Sequence, residues 1–305
     1  MNHLSSFALG LLWVAAALSV RLQAQQDLPY TQTKDALYGE VHGTGLLMDV
    51  FIPKDKKRGL GIVDVASGAW YSDRGKIRDH TLSQMFTIYC SRGYTVFAVR
   101  PGSKTRYTVF EMDQNLKTAV RFIKEHAKDY GIDGDRLAMT GASAGGHLAT
   151  LAALTVEPGK PDSKNAAQRF DTSVKAVGVF FPPTDFVDWE HGKRAELSLL
   201  GPLLFVGGGA GRSEEEVLTK AREASPLHRV TKPTVPFLLI HGDADKVVPL
   251  AHSQKLVEAI NKAGGSAELV VKAGGGHPWL TLHEEVQKLA DWFDKHLVDK
   301  TDAAR

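Results

Sequence analysis

The chain has 305 residues, of which 43% are apolar and 24% charged, with a formal charge of +2 and one cysteine. That balance excludes a disordered chain, and Lys and Arg are scattered among Asp and Glu, so no basic face for nucleic acid is present and a small or neutral partner is expected. Cys90 alone cannot form an intramolecular disulfide; its neighbours Ile88 and Tyr89 predict a buried helical position, with no Cys-His pattern for a thiol nucleophile.

Met1 to Ala24 has no acidic residue, an apolar run from Phe7 to Val20 and a small residue at Ala24. This predicts a secretory signal peptide over 1–24 and a secreted or periplasmic protein from Gln25 to Arg305. The alternative is an uncleaved anchor, although the apolar run is shorter than the ~20 residues of a membrane span. The rest, 25–305, reads as one domain, because no linker interrupts it.

Leu37 to His42 and Leu46 to Ile52 alternate about a turn at Gly43 to Gly45, which predicts an antiparallel hairpin. Short apolar runs then alternate with longer amphipathic stretches, the order of a parallel sheet covered by helices on both faces. The predicted strands are Gly61 to Ala66, Tyr94 to Val99, Arg136 to Thr140, Val174 to Phe181, Thr234 to His241 and Ala267 to Lys272. The predicted helices are Leu82 to Arg92, Phe110 to Tyr130, Ala144 to Thr155, Ser253 to Ala263 and His283 to His296. Between about 182 and 233 the order breaks down into an irregular insert, with Trp189, an apolar Leu197 to Leu200, a glycine cluster at Gly207 to Gly211 and a short charged helix near Ser213 to Glu223. It is either a cap over the carboxyl ends of the strands or a plain surface excursion.

Gly141-Ala142-Ser143-Ala144-Gly145-Gly146 stands directly after a predicted strand and directly before an apolar helix. In that context G-x-S-x-G is a nucleophile elbow, in which a strained turn lifts the serine hydroxyl above the sheet and small neighbours let the backbone turn. It predicts the α/β-hydrolase fold. The helix dipole and the Ala144 N–H would favour negative charge on an attacked carbonyl oxygen. A serine hydroxyl needs a base and the base a carboxylate, and in this fold they follow as acid and then histidine.

The strand ending at His241 runs into Gly242-Asp243-Ala244-Asp245, which offers two candidate acids, Asp245 and Asp243, one of which would hold the loop by bonding its own backbone. The last strand runs into Gly274-Gly275-Gly276-His277, where glycines allow His277 to reach Ser143. His147 is expected beneath the nucleophile helix, His241 beside the acid loop, and His252, His283 and His296 on helix surfaces. The second oxyanion donor is expected from Ser67-Gly68-Ala69, at Gly68 or Ala69. Trp70, Tyr71, Trp189 and Trp279 are candidate substrate contacts, with core packing an equal reading of Trp70. No metal and no cofactor is expected, since no His, Asp and Glu group has ligand spacing.

These segments, with Ala119 to Ile123, Tyr130 to Asp133 and Val247-Val248-Pro249, resemble the bacterial α/β-hydrolases grouped as dienelactone hydrolase-like and feruloyl esterase-like enzymes. The chain is similar to acetylxylan and feruloyl esterases from about Leu37 to Leu297, and more distantly to the prolyl oligopeptidase catalytic domain and the hormone-sensitive lipase group. The resemblance implies a carboxylic ester hydrolase working through an acyl-enzyme, with acetyl or feruloyl groups on polysaccharide as the expected substrates. It also implies that the second Asp of the loop, Asp245, is the acid. Where that family usually has His-Gly-Gly-x-Trp, this chain has Ala66-Ser67-Gly68-Ala69-Trp70. A peptidase and a catalytically silent binding module on the same fold are the competing expectations, the peptidase being less expected because no propeller is expected within these 305 residues.

Overall fold

The computed structural model describes residues 28–190, 192–232 and 234–298, so the expected signal peptide lies outside the described residues. Eight strands form one sheet: β1 (Tyr30–Val41), β2 (Thr44–Pro53), β3 (Leu60–Val65), β4 (Tyr94–Val99), β5 (Leu137–Ala142), β6 (Ala176–Phe180), β7 (Phe237–Gly242) and β8 (Ala267–Lys272). Their order is β1-β2-β4-β3-β5-β6-β7-β8. β1 and β2 are antiparallel, β2 meets β4 antiparallel, and every later pairing is parallel. This is the α/β-hydrolase fold.

The helices are α1 (Arg74–Leu82), α2 (Met85–Ser91), α3 (Val109–Glu125), α4 (Ala144–Leu154), α5 (Leu197–Leu204), α6 (Glu214–Ala224), α7 (Ala251–Lys262) and α8 (Leu282–Leu297). Period-two alternation sorts strand side chains to two cores. Val63, Phe97, Val177 and Leu239 pack with α3 to α7, whereas Ile62, Val96, Ala176 and Ile240 pack with α1, α2 and α8. Both faces are therefore covered, which is why the central strands are continuous apolar runs. None of the described helices is long and apolar enough to cross a membrane.

Three local departures from the sequence pattern have physical causes. β1 reaches back to Tyr30, paired with Pro53, and its start is not legible because the register shifts between Thr33 and Ala36 and between Leu37 and Gly39 erase the alternation there. The helix expected over Leu82 to Arg92 is α2, which begins only at Met85 because Gln84 takes a left-handed φ of 57°, and a separate helix, α1, precedes it. That helix, α1, is capped by Asp73 and buries only Ile77 and His80, so no apolar stripe announces it. The helix expected to run to Tyr130 stops at Glu125, and the chain turns through His126 to a left-handed Gly131.

The insert folds into α5 and α6 with a short 3-10 turn at Pro226–Arg229. His252, expected on a helix surface, instead lies on the inner side of α7 with 1% of its surface exposed. Its Nδ1 accepts from the amides of Thr184 and Asp185 at 3.0 and 3.2 Å, and its Nε2 donates to the Trp189 carbonyl at 3.0 Å. Burial pushes its pKa down to about 4, so it is neutral and able to accept. His252 thus ties the first part of the insert to the sheet's helical layer, and Trp189 is fixed by it.

Candidate active site

β5 ends at Ala142 and α4 begins at Ala144, which leaves Ser143 at φ 53° and ψ −120°, a conformation that side chains other than glycine rarely adopt. The turn closes because its neighbours lack side chains. A Cβ on Gly145 would lie 2.2 Å from the Val65 carbonyl, and one on Gly141 2.6 Å from the Gly145 backbone. The Ser143 amide donates to Phe180 at 2.9 Å and the Gly145 amide to Ser67 at 3.0 Å, which anchors the elbow to the strands on both sides. Gly145→Ala is accordingly expected to destabilise the fold by about 3 kcal/mol or more, since the clash is with backbone that cannot move aside. Thermal unfolding of the variant checks this; an unchanged Tm would contradict the packing described.

His277, on the loop after β8, places Nε2 2.8 Å from Ser143 Oγ. Its Nδ1 lies 2.6 Å from Asp245 Oδ2. The other carboxylate oxygen, Oδ1, accepts from the Val247 and Val248 amides at 2.8 and 2.9 Å, and His241 Nε2 stands 3.4 Å from Oδ2. Burial pushes the Asp245 pKa up, but these donors outweigh it and hold the carboxyl well below the usual carboxylate range. An ionised Asp245 takes the Nδ1 proton's hydrogen bond, which leaves Nε2 as the acceptor for the serine hydroxyl. The Phe181 ring, 4.4 Å from the imidazole by centroids, covers His277 on one side.

Asp243 stands away from the imidazole. Its Oδ1 accepts from the Gly274 amide at 2.7 Å, so it staples the acid loop to the base loop rather than bonding its own backbone. The two loops touch backbone to backbone: Ala244 N donates to Gly275 O at 3.0 Å, and a Cβ on Gly242 would lie 2.1 Å from that oxygen.

In the loop after β3, the Gly68 amide already donates to the Tyr71 carbonyl at 2.9 Å, and the Tyr71 amide returns the bond. Gly68 is therefore withdrawn as an oxyanion donor. That tight turn forces Ala69 and Trp70 to φ 49° and 59°. The Ala69 amide donates to no backbone group among the described residues, and Ala144 opens a helix, where the first amides lack intrahelical acceptors. Trp70 is buried and its indole N–H donates to His147 Nδ1 at 3.2 Å, while His147 Nε2 donates to the Ala224 carbonyl at 2.9 Å. Burial pushes the His147 pKa down to about 4, which keeps the ring neutral and Nδ1 an acceptor. His147 thus braces the oxyanion loop against α6, a role its position one turn into the nucleophile helix does not reveal.

Two chambers open on either side of Ser143, with Ala69 and Val247 bordering both. The first, about 450 Å³, is lined by Trp70, Trp189, Ala195, Leu199 and Val248 together with the charged Glu190, Lys193, Arg194 and Glu196. The second, about 510 Å³, contains His277 and Tyr71 with Asp73, Lys76, Asp79 and His80. Trp279 lines neither. It packs on Phe180 and Phe181 and its indole N–H donates to Glu285 at 2.8 Å, so it supports the base loop instead of contacting substrate. Among the described residues no group of His, Cys, Asp and Glu is placed to hold a metal ion.

Comparison with known proteins agrees with this architecture. The family model BD-FAE matches residues 48–260. Esterase LipC of Mycobacterium tuberculosis (strain ATCC 25618 / H37Rv) is 28% identical over 253 residues, a match covering 81% of this chain and 60% of LipC. Isoprenylcysteine alpha-carbonyl methylesterase ICME of Arabidopsis thaliana is 24% identical over 259 residues, covering 79% of this chain and 55% of that protein. The chain thus spans little more than half the length of the curated relatives it matches. Among solved structures, a truncated carbohydrate esterase from gut microbiota superposes with a TM-score of 0.76 at 22% identity, covering 90% of this chain and 99% of that one. Esterase Est2 of Thermogutta terrifontis, with propionate bound, gives a TM-score of 0.65 at 23% identity, covering 88% and 96%.

Proposed function

The chain belongs to the BD-FAE family, and on that premise we propose that it hydrolyses carboxylic esters through an acyl-enzyme on Ser143. The observation that carries this reading is the unbroken relay from Asp245 through His277 to Ser143, with links of 2.6 and 2.8 Å. Ser143 Oγ bonds to the ester carbonyl carbon as its proton passes to His277 Nε2; the amides of Ala69 and Ala144 receive the oxyanion. Collapse of the tetrahedral intermediate breaks the bond to the alcohol oxygen, which takes the proton from Nε2. Water then adds to the acyl-enzyme by the same route, releasing the acid and restoring the serine.

His277 must protonate the leaving oxygen, so the alcohol belongs on the side where His277 stands. That side is the second chamber, and the acyl group then occupies the first. Trp70, Trp189 and Leu199 give the first chamber an apolar wall large enough for an acyl group longer than acetyl. The second carries Asp73, Lys76, Asp79 and His80 in its wall, hydrogen-bonding groups that suit the alcohol part of an acylated sugar. An exported enzyme, which residues 1–24 predict, would meet such esters on polysaccharide outside the cell.

The test is a substrate panel: p-nitrophenyl esters from acetate to octanoate, acetylated xylan, methyl ferulate and a proline peptide amide. Esters are expected to be cleaved and the amide left intact, with Trp189→Ala shifting the preferred acyl length. Cleavage of the amide alone would replace this reading with a peptidase, and inertness toward every compound would point to a binding module.

A further inference from the structure

The wall of the second chamber includes His80, which pairs with a buried Asp64 behind it, and the proposed chemistry leaves this pair unused. Asp64 sits in the middle of β3, opposite Ala98 on β4 and Thr140 on β5, and is wholly buried. His80 on α1 places Nδ1 2.7 Å from Asp64 Oδ2. The other carboxylate oxygen, Oδ1, is sealed and unpartnered, so Asp64 depends on His80 alone among the described residues. Burial depresses the basicity of His80, yet the charge and hydrogen bond of Asp64 outweigh this and raise its pKa, with Asp79 adding and Lys76 subtracting.

A buried ion pair is a poor stabilising device, because well-packed apolar residues of similar volume generally do as well. The geometry points elsewhere. His80 forms part of the chamber wall with Ser143 and His277. Its Nε2 has no hydrogen-bond partner among the described residues and is not sealed from solvent, so the 7% of His80 left exposed includes this nitrogen. Asp64 fixes the ring from one side and leaves a donor at the other, the arrangement by which a carboxylate orients a functional imidazole.

We propose that His80, oriented by Asp64, is a specificity-determining residue that donates a hydrogen bond from Nε2 to an oxygen of the leaving alcohol. The ligand class is an alcohol bearing further oxygens near the ester, such as a sugar, in preference to a simple alkyl alcohol. This rests on the assignment of the second chamber to the alcohol.

Two variants separate the two nitrogens. His80→Asn keeps an amide donor near the position of Nδ1, toward Asp64, and withdraws the donor facing the chamber. His80→Gln restores an amide near the position of Nε2. With ethyl propionate and a glucose monopropionate as substrates, His80→Asn is expected to lower kcat/KM for the sugar ester by about tenfold relative to that for the ethyl ester, the loss of one good hydrogen bond. His80→Gln is expected to recover part of the sugar ester's rate. Parallel loss on both esters, or no loss on either, overturns the proposal.

A second readout does not need turnover. In protein labelled with 15N-histidine, glucose titrated to saturation is expected to move the His80 Nε2 resonance, assigned by its absence in His80→Asn. No movement overturns the role of His80 even if esters are hydrolysed. Movement without hydrolysis of any ester would keep this contact and remove the hydrolase reading.

Discussion

Replacing Ser143 with alanine is expected to lower kcat for ester hydrolysis by about 10⁴- to 10⁶-fold while leaving the fold intact. The serine hydroxyl is the atom that must form the acyl bond, and among the described residues His277 Nε2 hydrogen-bonds to no other hydroxyl or thiol. Cys90 is buried on α2 in the opposite core, with its thiol pushed up to about 12 by burial, and cannot substitute. The backbone at 143 is anchored by its own amide and carbonyl, to Phe180 and from His147, so removing Oγ strains nothing further. Purified variant and parent should therefore share a Tm within a degree or two, and any activity left in the variant would be catalysis by the oxyanion amides and binding alone.

Asp245→Asn should be nearly as damaging, by about 10³- to 10⁴-fold in kcat, and for a reason that the loop geometry makes specific. Oδ1 of Asp245 is held by two donors, the Val247 and Val248 amides. An asparagine must keep its carbonyl oxygen there and so turns its NH₂ toward His277. The imidazole can meet that NH₂ only by accepting at Nδ1, which puts its proton on Nε2 and removes the acceptor that Ser143 needs. Asp243→Asn makes the comparison sharp, because an asparagine there still accepts from Gly274 and a loss of only a few-fold is expected. Equal losses at 243 and 245 would contradict the division of roles, and steady-state kinetics of the two variants side by side decide it.

Legibility in the sequence followed how local the physical cause was. The elbow is readable because strand, strained serine and helix N-terminus are contiguous, and the glycines at 141 and 145 are demanded by backbone contacts a few residues or one strand away. β4 falls where its apolar run places it, since a strand buried on both faces leaves a continuous pattern. α1 was not readable, because a helix that buries only Ile77 and His80 has no stripe. Gly68 and Trp279 were misplaced for a different reason. Their neighbours in sequence suggest the site, but Gly68 spends its amide on Tyr71 three residues on, and Trp279 turns away to Glu285 on α8. The bracing of Trp70 by His147 and of Trp189 by His252 joins residues 77 and 63 positions apart in the chain, and no local pattern records such pairs.

The most direct test of the account is the covalent one. Protein incubated with a fluorophosphonate should gain the mass of one phosphonyl group, and peptide mapping should place it on Ser143, with no adduct in Ser143→Ala and slowed labelling in Asp245→Asn. An adduct elsewhere, or none in a protein whose folding has been verified, would contradict the assignment of Ser143 as an activated nucleophile and with it the proposed reaction.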